Sequence, residues 1–213
     1  MTWEEYLEAS ARTEPHTDNV VAMLLGGSIS QYPNTFYADT PATDAKVRLM
    51  HGAMGLSTEV SELRTAYGHI NLSEERGDCF WYLALLCRLI HDLRPEPGSK
   101  PATIQSHFVL GIRDYRVLLP EQKWETLANA AACLLDHAKR YFFYNSTPDW
   151  HAVAYLVGQC IDLLAYWGHP EPGEIFDRNI AKLRKRFPNR FNCADAVNRN
   201  LDKEREALKG DLK

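Results

Sequence analysis

HGAMGLSTEVSELRTAYGHINLSEERGDCFWYL, residues 51–83, decides the fold. Glu59 and Glu62 are three positions apart, and so are Glu75 and Asp78. Each pair therefore shares one face of a helix, one turn apart. Apolar residues recur at helical spacing around them: Met50, Met54, Leu56, Val60 and Leu63 before a break, then Phe80, Leu83, Leu86 and Leu89 after it. Gly68 to Ser73 reads as the turn between two antiparallel helices, with Ser73 as N-cap and Glu74 and Glu75 in the first turn. Such a hairpin brings four carboxylates face to face. They repel one another unless a cation sits between them. Magnesium suits the role: it prefers oxygen ligands at about 2.0–2.1 Å and is commonly held by carboxylates together with substrate phosphates. Acid pairs at this spacing also occur on solvated helices. Here, however, Glu59 is flanked by Leu56, Val60 and Leu63, and Asp78 by Phe80, Trp81 and Leu83. Acids at the edge of a core need partners.

GLSTEVSEL followed by EERGDCFWYL resembles the all-α nucleoside-triphosphate pyrophosphohydrolases, the MazG-like group. Their pattern is ExxE, a variable gap, then ExxD with an aromatic run after the last Asp. Glu59, Glu62, Glu75 and Asp78 match it residue by residue, while the family's frequent extra Glu just before the first acid is Thr58 here. A second stretch, NIAKLRKRFPNRF from Asn179 to Phe191, resembles the family's closing helix, in which an Asn, a Lys and an Arg approach the substrate phosphates. Asn179, Lys182 and Arg186 hold those places. The likeness spans residues 45–93 and 174–191.

The resemblance implies an all-α, MazG-like helical bundle that cleaves an NTP or dNTP to its monophosphate and pyrophosphate. It implies magnesium, with manganese as a substitute, held by Glu59, Glu62, Glu75 and Asp78. Bound metal would polarise phosphorus and activate a water, whose proton Glu59 or Glu62 would accept as catalytic residue. An all-α dUTPase or dCTPase and a phosphoribosyl-ATP pyrophosphatase share these acids and differ in the base pocket. A nucleotide-binding regulator without turnover is the reading from another class. His51, Trp81, Tyr32, Phe36 and Tyr37 are candidates to stack on a base.

At 213 residues the chain suits one sizeable domain or two fused repeats. Apolar content of 45% and a formal net charge of −4 are ordinary for a globular protein. No basic excess points to a nucleic-acid partner. No run of about eighteen apolar residues points to a membrane span. MTWEEYLEAS lacks the charged and apolar regions of a signal peptide. The five cysteines form no CxxC pair and read as free thiols, most of them in helices. Together these features lead us to expect a cytoplasmic enzyme.

In chain order, Thr2 and Glu5 suit a capping box. A second helix is expected over Thr17–Leu25, then an aromatic-rich loop over Ser28–Thr43. RPEPGSKP, residues 94–101, is the clearest break, followed by a moderately helical Ala102–Leu118. Further helices are expected from Pro120 to Tyr144, from Asp149 to Trp167 with Thr147-Pro148 at its start, and from Glu174 to Pro188. The tail from Ala194 reads as a frayed helix. The expected division is 1–94, N-terminal helices plus the acid-bearing hairpin, and 95–213, a second hairpin plus the phosphate-contacting helix, fused as one globular unit.

That second hairpin echoes the first. Gly77-Asp78-Cys79 lies over Gly158-Gln159-Cys160, and on this frame Glu59, Glu62, Glu75 and Asp78 fall on Ala130, Cys133, Leu156 and Gln159. Many relatives in the group carry a basic pair one to two turns after ExxE. The first half lacks it, but the second has Lys139 and Arg140. The expectation is a four-helix core of two degenerate hairpins within one chain, one copy keeping the acids and the other the bases. Lys139 and Arg140 would then join Asn179, Lys182 and Arg186 as substrate-binding residues. A homodimer is compatible with this but not needed to complete the bundle.

Overall fold

A computed structural model describes residues 1–17, 20, 41–93 and 115–209. Among these residues there are eight α-helices and no strand, so the protein is all-α as expected. Within them, no helix is long and apolar enough to cross a membrane. The expected loop over 28–43 up to residue 40, the break at 94–101, and most of the helices expected over 17–25 and 102–118 lie outside the described residues. Of the last, Tyr115–Val117 forms a 3₁₀ turn.

Helix α1 (Trp3–Ala11) starts with the expected capping box: the Thr2 hydroxyl accepts from the Glu5 amide at 3.2 Å and the Glu5 carboxylate from the Thr2 amide at 2.7 Å. Helices α2 (Pro41–Thr65) and α3 (Gly68–Leu93) form the acid-bearing hairpin. Their connection is shorter than the sequence suggested. Gly68 takes a left-handed φ of 82°, which glycine adopts without strain, and α3 starts there rather than after Ser73. Leu72 packs against the core, so the apolar stripe already includes the residue before the expected cap. Ser73 is buried inside the helix and accepts a bond from Arg178 Nη1 at 3.4 Å.

Helix α4 (Pro120–Tyr144) opens on proline and ends at Asn145 in a left-handed conformation with φ 54°. Helix α5 (Trp150–Ala165) is capped by Asp149, not by Thr147: the carboxylate accepts from the amides of His151 at 2.9 Å and Ala152 at 3.4 Å. Asp reaches the orphan amides of the first turn, which leaves Pro148 outside the helix. Helix α6 (Pro172–Arg186) stops before Pro188, as proline requires. Two short helices follow, α7 (Cys193–Val197) and α8 (Leu201–Lys209). The tail is thus part of the body: α8 packs on α6 and α3 and buries Leu208 and Glu204.

Helix α3 is central. Helices α1, α2, α5, α6 and α8 all pack on it, and its buried residues run from Ser73 to Ile90. Helix α4 packs on both α2 and α5. Arg76, fully buried on α3, donates to the carbonyls of Leu164 at 2.8 Å, Gly168 at 3.1 Å and Pro170 at 3.0 Å. One guanidinium so satisfies the end of α5 and fixes the turn into α6.

Candidate metal centre

Glu59 and Glu62 project from α2 and Glu75 from α3, and one carboxylate oxygen of each lies within 4.8 Å of the other two. Glu62 is exposed, while Glu59 and Glu75 are half-buried. Among the described residues none of the three forms an ion pair, and the charge of Lys182 only partly offsets the crowding at Glu59 and Glu75. Glu59 is pushed up to about 8, first by burial and then by the charges of Asp78, Glu62 and Glu75. Glu75 rises to about 7, again by burial first and then by Asp78, Glu62 and Glu74. Like charges crowded in a part-buried site favour the protonated form. A divalent cation removes that penalty, and an all-oxygen carboxylate set is the donor chemistry magnesium takes. These three residues therefore fit such an ion.

Asp78, one turn beyond Glu75, is turned elsewhere. Lys182 Nζ donates to both of its carboxylate oxygens at 2.5 Å. The Asn179 amide adds a bond to Oδ1 at 2.8 Å, and the Tyr6 hydroxyl in turn donates to Asn179 Oδ1 at 2.7 Å. Lys182 Nζ also reaches Glu74 Oε1 at 3.4 Å. A Cβ at position 77 would stand 2.9 Å from the Asn179 amide nitrogen, so Gly77 is what lets α6 close on α3 here. Asn179 and Lys182 are 1% and 0% exposed. Both were expected to meet substrate phosphates; they are buried behind Asp78 instead.

The three glutamates, Glu74 and Asp78 line a cleft of about 850 Å³. Its walls are aromatic: His51, Trp81, Tyr82, Phe142, Phe143, Phe187 and Phe191. The His51 ring sits edge-on to Trp81 and Tyr82, with its proton affinity lowered by burial. Gly55 makes room for Tyr82, since a Cβ there would lie 2.0 Å from the ring. Tyr32, Phe36 and Tyr37, the other stacking candidates, lie outside the described residues.

Arg186 lines the cleft, and so does Arg199. Both are held by buried Glu204 of α8: Arg186 donates from Nε at 3.0 Å and Nη2 at 2.5 Å, Arg199 from Nη2 at 3.0 Å. Sequence reasoning passed over Tyr6, Arg199 and Glu204, and gave Glu74 no role at the site. Glu74 had a signal in its place beside Glu75. Glu204 had one in sharing a helix face with Leu208, four positions on.

Lys139 and Arg140 do not join the site. Both are exposed, neither lines the cleft, and Lys139 pairs with Asp136 on its own helix at 2.6 Å. The reason is register: Leu134, Ala138 and Tyr141 form the buried face of α4, so positions 139 and 140 point outward. The expectation that they face the acids across the core is corrected. Of the positions aligned with the acids, Ala130 is buried, Cys133 is exposed, and the Gln159 amide donates to the Tyr115 hydroxyl at 3.0 Å. Among the described residues, the three glutamates are the only grouping of this kind.

No family model matches the chain, and no curated protein or solved structure gives a match.

Proposed function

We propose that this protein is a magnesium-dependent nucleoside triphosphate pyrophosphohydrolase, releasing a monophosphate and pyrophosphate from an NTP or dNTP. One observation carries the reading: three carboxylates that form no ion pair among the described residues converge within 4.8 Å on the wall of a cleft of about 850 Å³, a volume that suits a nucleotide. The ExxE and ExxD spacing and its likeness to the MazG-like group support it. Glu59, Glu62 and Glu75 would hold the ion, which when bound supplies charge for phosphate oxygens and a water of lowered pKa. Glu59 or Glu62 would accept the proton of the attacking water. Arg186 and Arg199 line the same cleft and would supply positive charge to a leaving pyrophosphate. Asn179 and Lys182 act through Asp78, which they hold in place. His51, Trp81 and Tyr82 offer ring faces and edges to a base.

The fold extends the proposal. Besides the contacts within each hairpin, α2 packs on α4 and α3 on α5. This supports a four-helix core of two hairpins, with the second as scaffold rather than as a source of bases.

A regulator that binds nucleotide without turning it over is the second reading. It is favoured by the engagement of Lys182 with Asp78 and of Arg186 with Glu204. Product analysis with a panel of NTPs and dNTPs in magnesium tests both. Monophosphate plus pyrophosphate is the expected result. A diphosphate plus orthophosphate would sink attack at the α-phosphorus, and bound but intact nucleotide would establish the regulator.

A further inference from the structure

Glu204 is 2% exposed and does not line the cleft, yet it holds two side chains that do. Its Oε1 accepts from Arg186 Nε at 3.0 Å, and its Oε2 from Arg186 Nη2 at 2.5 Å and Arg199 Nη2 at 3.0 Å. Two guanidiniums thus share one carboxylate, and one positive charge is left over. Donors are left over as well, since a guanidinium has more of them than one carboxylate can take. Nη1 of both arginines and Nε of Arg199 have no hydrogen-bond partner among the described residues. The charge of Asp78 is felt by Arg186 as well as by Glu59 and Glu75, which places this pair near the acids. Asp78 and Glu74, however, already have Lys182. Docking of α8 explains an ion pair with α6. It does not explain why Arg199, 39% exposed and on the connection before α8, is drawn to the same carboxylate at the cleft.

We propose that Arg186 and Arg199, held by Glu204, form an oxyanion site for the pyrophosphate end of the substrate, with Glu204 as its positioning residue. This rests on the pyrophosphohydrolase reading above and deepens it. The unused guanidinium donors suit phosphate oxygens, which a planar fork binds in pairs. A guanidinium fixed before the substrate arrives has less freedom to lose on binding. Glu204 does the fixing from outside the cleft, and cancels one of the two positive charges in doing so.

Calorimetric titration of inorganic pyrophosphate into the protein in magnesium, beside steady-state kinetics, tests this. Glu204→Gln removes the negative charge and keeps the size. Were Glu204 only a counter-ion, the added net positive charge would tighten pyrophosphate binding. Were it only a dock for α8, the folded variant would bind as the wild type does. Positioning predicts the opposite sign: about tenfold weaker binding, as loss of a hydrogen bond to a charged group gives. kcat/KM should fall alike, while magnesium affinity at the three glutamates stays unchanged. Glu204→Asp, which keeps the charge, should recover part of the loss. Arg199→Gln removes half of the fork without touching the Arg186–Glu204 pair, and should weaken pyrophosphate about tenfold in a chain that folds normally. Unchanged or tighter binding in folded Glu204→Gln would overturn the proposal. If that variant does not fold, unchanged binding in Arg199→Gln would overturn it instead. A wild-type chain that binds no pyrophosphate would remove the site, whereas the functional reading falls on product analysis, so the two failures are distinct.

Discussion

Glu59 and Glu75 keep protons at pH values where most carboxylates have lost them, because each is part-buried among other acids. A metal ion binds the ionised groups and must displace those protons. Apparent magnesium affinity should therefore strengthen as pH rises toward about 8 and level off above it, with protons released on binding at neutral pH. Calorimetry in two buffers of different ionisation heat measures that release, and pH-independent binding would remove these residues from the ligand set. The same shift has a consequence for folding. A carboxyl group whose pKa rises from 4.5 to about 8 on folding gives a native state that binds more protons between those values. Metal-free stability accordingly falls as pH climbs through that window. Substitutions separate the three glutamates from Asp78. Glu62→Gln should fold normally and lose about 10²-fold in turnover, as loss of a ligand typically does. Asp78→Asn strips the buried Lys182 of its chelating partner and should cost about 3–5 kcal/mol of stability. Urea unfolding beside turnover tells them apart, and equal stabilities would mean that the Asp78–Lys182 pair holds nothing together.

At the scale of elements, the α2–α3 hairpin is set by a close approach of backbone and ring. A Cβ on Gly55 would overlap the Tyr82 ring at 2.0–2.5 Å, and that ring is itself held edge-on by Trp81 and His51. Helix propensity alone favours alanine at an interior position by about 1 kcal/mol. Overpacking against a held ring costs about 1–3 kcal/mol, so Gly55→Ala should destabilise overall. Chemical denaturation decides the sign, and a more stable variant would show that the Tyr82 ring yields freely. Helix α8 follows a different logic. It is short and highly charged, and it stays docked because Glu204 meets two guanidiniums while Leu208 is buried beside it. Charge-assisted, bidentate bonds of this kind are stronger than neutral ones.

For the molecule as a whole, the hairpin pairing places the acids on one side of α2 and α3 and leaves the outer face of α4 to solvent. Lys139→Ala with Arg140→Ala should therefore leave turnover unchanged and stability within about 0.5 kcal/mol of wild type. A steady-state assay and a melting curve check this. A tenfold fall in turnover, worth about 1.4 kcal/mol in the barrier, would bring the pair back to the cleft.

The sequence by itself determined the helical class, the paired acids and most helix ends, because helical periodicity, caps and prolines act over a few residues. It also marked Glu59, Glu62, Glu75 and Asp78 as a converging set, since i,i+3 spacing fixes a shared face on each helix, and three of those four converge. It misplaced Ser73 because a lone glycine at Gly68 can turn the chain, and serine favours a cap without requiring one. Tertiary structure alone decided which neighbour each charge meets. Asp78 faces Lys182 because Gly77 lets α6 approach α3, over a hundred residues apart in the chain. Lys139 faces solvent because Ala138 and Tyr141 claim the inner side of α4. Charge pairing across the fold depends on how helices cross, and no local pattern in the chain encodes that angle.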